Sequence, residues 1–201
     1  QVKDFPTGRL LIPARFRAAE CFYRQSKFAD AYAHYDAVVE SKDEKYVPNA
    51  LYRGGDSAGA LKRWPDSQKM YEALITGFAS FYAINEARFG LGFALQNQNQ
   101  LDKALQVYEA VTKTTSSPTA AKCRFMMGEI VFSRKKYAEA SAHFLEVVVG
   151  YPDKEQYAEW QALAHLEAAL FRYLPAQLVD LRLAMTADAV LLADLPEAIR
   201  A

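Results

Sequence analysis

The side chains able to do covalent or metal chemistry are few, and their spacing does not suit it. Three histidines (His34, His143, His165) and two cysteines (Cys21, Cys123) could ligate a metal or act as nucleophile and base. No Cys-x-x-Cys or His-Glu-x-x-His spacing links them. His34 and His143 hold the same place in two similar segments, three segments apart, so they are not expected to share an ion. Cys21 and Cys123 fail as a pair by the same argument. Packed helices lie about 8–10 Å apart, whereas a disulfide needs Cα atoms within about 7 Å. The expectation is two thiols outside any disulfide. Gly54, Gly55 and Gly59 lack the flanking strand of a phosphate-binding loop, and no serine sits in a nucleophile elbow. Catalysis, a cofactor and a metal are therefore not expected.

The bulk composition points away from several other roles. Lys plus Arg number 24 and Asp plus Glu 24, a net charge of zero. A nucleic-acid binder or polybasic membrane-surface domain would carry a basic excess. Hydrophobic residues make up 51% of the 201, too many for a disordered chain. No apolar run reaches the ~18 residues of a membrane-spanning helix. The chain opens on Gln1 without a leader pattern and reads as a mature or excised segment.

What the chain does contain is repetition. AAECFYRQSKFADAYAHYDAVV, GGDSAGALKRWPDSQKMYEALI, LGFALQNQNQLDKALQVYEAVT and MGEIVFSRKKYAEASAHFLEVV align without gaps, starting at 18, 54, 91 and 127, offsets of 36, 37 and 36 residues. Each has a small residue near its start: Ala19, Gly55, Gly92 or Gly128. Phe28, Trp64, Leu101 or Tyr137 follows, then Ala31, Ser67, Ala104 or Ala140. Next come Tyr35, Tyr71, Tyr108 or Phe144, and then Val38, Leu74, Val111 or Val147. Steps of three and four place these last residues on one helical face. Polar breaks at 25–27, 62–63, 97–99 and 134–136 read as tight turns between two helices of a pair. Pro13, Pro48 and Pro118 fall near the starts of first helices, where proline is tolerated. Pro65 falls at the start of a second helix.

This order of small, aromatic, small, aromatic and aliphatic residues resembles the tetratricopeptide repeat, over about residues 12–152. Arg15, Arg88 and Arg124 depart from the Trp or Leu usual early in the first helix, and the spacing exceeds the family's usual 34 residues. The resemblance implies an all-α, right-handed superhelical solenoid. Residues 1–153 would hold four helix pairs, at about 12–47, 48–83, 84–119 and 120–153. Residues 154–201 would hold a fifth helix, with Trp160, Leu163, Ala164 and Leu170 inward, followed by C-terminal helices. Those helices read as a cap on the open end, a dimer face, or the entry to a further domain.

In such arrays the first helices line a concave groove. Three residues before each small position stands Phe16, Tyr52, Phe89 or Phe125. One residue after it stands Glu20, Asp56, Phe93 or Glu129. Four after it come Tyr23, Gln96 and Phe132, with Gly59 in the second segment. The aromatic ladder packs between repeats, lines the groove, or does some of each. An exposed ladder would take an extended peptide with apolar side chains, and the acids would favour basic ones unless Arg17, Arg24, Arg53 or Lys122 pairs with them first. The groove lacks the Lys and Asn pattern that binds acidic carboxy-terminal tails.

The expected function is a non-enzymatic protein- or peptide-binding scaffold. Self-assembly, through the C-terminal helices for example, or a spacer role in a larger protein is the alternative. The segment NALYRGGDSAGALKRWPDSQKMYEALI and the closing VVVGYPDKEQYAE are similar to repeats of bacterial TolA-binding and outer-membrane assembly lipoproteins. That likeness favours a periplasmic or cell-envelope location over a cytoplasmic one.

Overall fold

A computed structural model describes residues 10–151, 157–158 and 160–165. The described residues are all-α, without a strand. Among the described residues up to 151, eight helices follow one another: α1 Leu11–Arg24, α2 Phe28–Glu40, α3 Val47–Ala60, α4 Trp64–Gly77, α5 Ile84–Asn97, α6 Leu101–Thr114, α7 Pro118–Ser133 and α8 Tyr137–Gly150. The chain divides into two compact units, Gln1–Cys123 and Arg124–Ala201. In the first, each helix from α1 to α6 packs on its chain neighbour, and α3 also touches α5. None of the described helices is long and apolar enough to cross a membrane.

Four three-residue turns, at 25–27, 61–63, 98–100 and 134–136, join the helices of each pair. The middle residue of each is left-handed, with φ of 57° at Ser26, 58° at Lys62, 60° at Asn99 and 60° at Lys135. The N–H groups of Lys27, Arg63, Gln100 and Lys136 donate to the carbonyls of Phe22, Ala58, Leu95 and Val131 at 2.9 to 3.3 Å. Those of the left-handed residues donate to Tyr23, Gly59, Gln96 and Phe132 at 2.8 to 2.9 Å. This is the Schellman ending, which satisfies the last orphan carbonyls of a helix and reverses the chain. A glycine is usual at its left-handed position; here Ser, Lys, Asn and Lys carry the strain.

The repeated small and aromatic positions interlock. A Cβ on Gly92 would lie 2.4 Å from the Tyr108 ring, and one on Gly55 2.8 Å from the Tyr71 ring. In the second unit a Cβ on Gly128 would lie 2.6 Å from the Phe144 ring. In the first pair, Ala19 and Tyr35 share a buried cluster with Ala31, Val38 and Ala50. Val38, Leu74, Val111 and Val147 are all fully buried. Thus one ring from each second helix lies against a residue of its first helix that has little or no side chain.

Residues 157–158 and 160–165 are helical, and Ala164 is fully buried. Leu163 corrects the sequence expectation: it is 37% exposed, turned about 100° round the helix from the fully buried Ala164 beside it. Leu170 and the helices expected beyond it lie outside the described residues.

Candidate functional site

The first unit contains an open cleft of about 420 Å³. Its aromatic walls are Tyr23 of α1, Tyr52 of α3, Trp64 and Tyr71 of α4, and Phe89 and Phe93 of α5. Asp56, Glu86, Thr119 and Lys122 add polar groups to the lining.

Asp56 accepts hydrogen bonds on both of its carboxylate oxygens. Its Oδ1 accepts a 2.6 Å hydrogen bond from the Tyr71 hydroxyl. Its Oδ2 accepts longer ones from Tyr23, at 3.4 Å, and from Arg53 Nη1, also at 3.4 Å. Burial pushes its carboxyl above the ordinary aspartate value, against the opposing pull of the Tyr71 hydrogen bond and the Arg53 charge. The phenols answer in kind. Burial, then the Asp56 charge, holds Tyr71 well above its ordinary value, and Tyr23 and Tyr52 move up for the same two reasons. All three therefore stay protonated at neutral pH; Tyr71 and Tyr23 use that proton on Asp56. Glu86 is held separately: its Oε1 accepts from the Thr119 hydroxyl at 2.9 Å.

Ring geometry shapes the walls. Trp64 meets Phe93 edge-on at 5.7 Å between centroids. Phe89 stacks on Phe93 at 6.3 Å and leans on Tyr108 at 5.9 Å. Tyr71 sits between two helices, so a Cβ on Gly90 would lie 2.4 Å from its ring. Gly90 thus lets α5 come close to α4 at the cleft.

Of the residues expected to line a groove, Tyr23, Tyr52, Asp56, Phe89 and Phe93 meet in this cleft. The others serve elsewhere. Phe16 packs on Tyr35 and on Tyr46, at 6.0 and 5.3 Å. Glu20 accepts the Tyr35 hydroxyl at 2.5 Å, a pairing that repeats as Tyr71 with Asp56. Gln96 accepts the Tyr108 hydroxyl at 3.1 Å, since Phe93 stands where an acid would. Phe125, Glu129 and Phe132 belong to the second unit. There Phe125 is buried against Phe144 and Trp160, at 5.2 and 5.6 Å, and Phe132 is buried against Tyr137 at 5.4 Å.

The ladder therefore divides: Tyr52 and Phe89 line the cleft, whereas Phe16 and Phe125 pack elsewhere. Phe16 meets the ring of Tyr46, Tyr52 that of Phe81 at 5.7 Å, and Phe125 that of Trp160. The link that would supply the matching ring for Phe89 is Thr115-Ser116-Ser117, which has none. Phe89 takes its ring contacts from Phe93 and Tyr108 of its own helix pair and faces the cleft. Sequence reading missed Trp64 and Tyr71, which it assigned to packing alone, and Gly90, Glu86 and Thr119.

Cys21 is exposed, Cys123 is buried, and they form no disulfide with each other. Among the described residues no group of three or more His, Cys, Asp or Glu side chains is placed to hold a metal. A family model described as tetratricopeptide repeat matches the chain at residues 52–118 and 94–155. No curated protein matches it.

Proposed function

Since this chain belongs to the tetratricopeptide repeat family, whose repeats generally mediate protein–protein interaction, we propose that it is a non-enzymatic scaffold that binds an extended peptide segment of a partner protein in the cleft of its first unit. One observation carries the reading: six aromatic side chains and two carboxylates line a single open cleft. Aromatic walls bury large apolar area at small entropic cost, and a few polar groups then orient the ligand. Phe89, Phe93 and Trp64 would take apolar side chains. Asp56 and Glu86 would accept from peptide N–H groups or basic side chains. Phe16, Phe125 and Phe132 act as packing residues in this proposal.

A display selection of random peptides against the full chain tests it. Recovered peptides should lose binding to a Phe89→Ala, Phe93→Ala double variant whose helix content matches wild type by circular dichroism. Peptides that hold the folded variant as tightly as wild type would move the site off this cleft. The periplasmic or cell-envelope location belongs to the same proposal and rests on the likeness of the repeat wording. Fractionation of the source cells decides it, and recovery in the cytoplasm would reject it.

A further inference from the structure

We infer that the cleft seats one guanidinium side chain of the bound peptide, and that Arg53 is the chain's own occupant of that seat, displaced when the ligand enters. The inference rests on the peptide-binding reading above and specifies its ligand.

Arg53 already shows what the seat accepts. Its guanidinium carbon lies 4.9 Å from the Tyr23 ring centroid and 5.5 Å from that of Tyr52. That is within the ~6 Å at which a cation is drawn to an aromatic face. Its Nη1 reaches Asp56 Oδ2 at 3.4 Å. A charge-assisted hydrogen bond of full strength is about 2.7–2.9 Å long, so the resident contact is loose. The Arg53 side chain is also 37% exposed, so it can swing out at little cost. Tyr71 holds the other Asp56 oxygen at 2.6 Å, which keeps Oδ2 turned to the Tyr23 and Arg53 side.

Charge sets the number of cations. Asp56 and Glu86 against Lys122 leave one negative charge in the lining, which Arg53 balances at present. With Arg53 in solvent, one ligand cation restores neutrality and a second would not be favoured. Both carboxylates line the same cleft. A guanidinium suits these walls better than an ammonium: it is flat, stacks on rings and is weakly hydrated.

The test is an NMR titration of the full chain with the pentapeptide acetyl-Ala-Ala-Arg-Ala-Ala-amide. Peptides with citrulline, which has the same shape without the charge, and norleucine at the centre serve as comparisons. The Trp64 indole N–H, assigned with a Trp64→Phe variant, reports on the cleft. The arginine peptide should move this signal and bind more tightly than the citrulline one. Arg53→Gln should tighten it a further two- to fivefold, the size of one exposed cation–π contact. Asp56→Asn keeps an acceptor for Tyr71 and should weaken it; Glu86→Gln, which keeps one for Thr119, should do the same by a second route. Equal binding of arginine and citrulline peptides, or weaker binding by Arg53→Gln, would overturn the inference. If norleucine moves Trp64 and arginine does not, the peptide-binding cleft stands and the guanidinium seat falls. If none of the three moves it, both fall.

Discussion

Alanine at Gly92 should destabilise the chain, whereas alanine at Gly59 should stabilise it, although the chemical change is the same. Both glycines lie inside helices. Replacing a helical glycine with alanine gains roughly 0.5–1 kcal/mol from backbone entropy. At Gly59 the new methyl meets nothing nearer than Ser67 Oγ at 3.6 Å, an ordinary contact. The full gain should appear. At Gly92 the methyl would stand 2.4 Å from Tyr108 Cε1, 2.8 Å from Cδ1 and 2.9 Å from Cζ. Reaching ordinary contact needs about 1 Å of movement between α5 and a fully buried ring. Overpacking of this kind costs about 1–3 kcal/mol. The net expectation is a loss of up to about 2 kcal/mol at Gly92, against a gain of up to about 1 at Gly59. Urea unfolding followed by circular dichroism reads both as midpoint shifts of opposite sign. A Tyr108→Leu background, where the ring is gone, should remove most of the Gly92→Ala penalty through a favourable coupling. A Gly92→Ala chain as stable as wild type would refute the interlock. So would equal losses at both sites.

Three further outcomes follow from the same geometry. Lys62→Gly should raise the thermal midpoint, because Lys62 holds a left-handed φ of 58° on the surface and glycine removes a strain of about 1–2 kcal/mol less its own chain entropy; an unchanged or lower midpoint argues against strain there. Phe125→Ala should cost about 3–5 kcal/mol as a buried aromatic, while Tyr82→Ala, 77% exposed, should stay within about 0.5 kcal/mol of wild type; comparable losses in calorimetry would contradict the packing. His143 sits below its ordinary value of 6.5, first through burial and then through the Arg124 charge. Its unfolded form binds more protons below that pH, so its contribution is present above 6.5 and lost as pH falls through the lowered value. His143→Gln should flatten that part of the stability–pH curve, and an unaltered curve would show that another group sets it.

The repeat core was legible in the residues. Ala19, Gly55, Gly92 and Gly128 faced Tyr35, Tyr71, Tyr108 and Phe144 at constant spacing, and periods of three and four place each aromatic on the inner face of its helix. The polar breaks marked the turns for a similar local reason: a short run without apolar residues gives a helix nothing to bury. These features depend on neighbours within one segment, and sequence spacing describes such neighbours well.

The candidate site depended on distances between segments, which spacing does not carry. Phe16, Tyr52, Phe89 and Phe125 hold one repeat position, yet Phe125 is buried and Phe89 lines a cleft. Phe125 is enclosed by Phe144 and Trp160, whereas the rings that Phe89 meets are Phe93 and Tyr108 of its own helix pair. Likewise Glu20 and Asp56 read as acids open to a basic ligand, but each accepts a tyrosine hydroxyl from the following helix. Fifteen residues separate each acid from its tyrosine, and only the packing of two helices brings them within a hydrogen bond. Local periodicity thus determined the apolar side of the second helix in each of the four pairs, while the tertiary approach of whole helices decided which polar and aromatic groups meet and which stay open to a ligand.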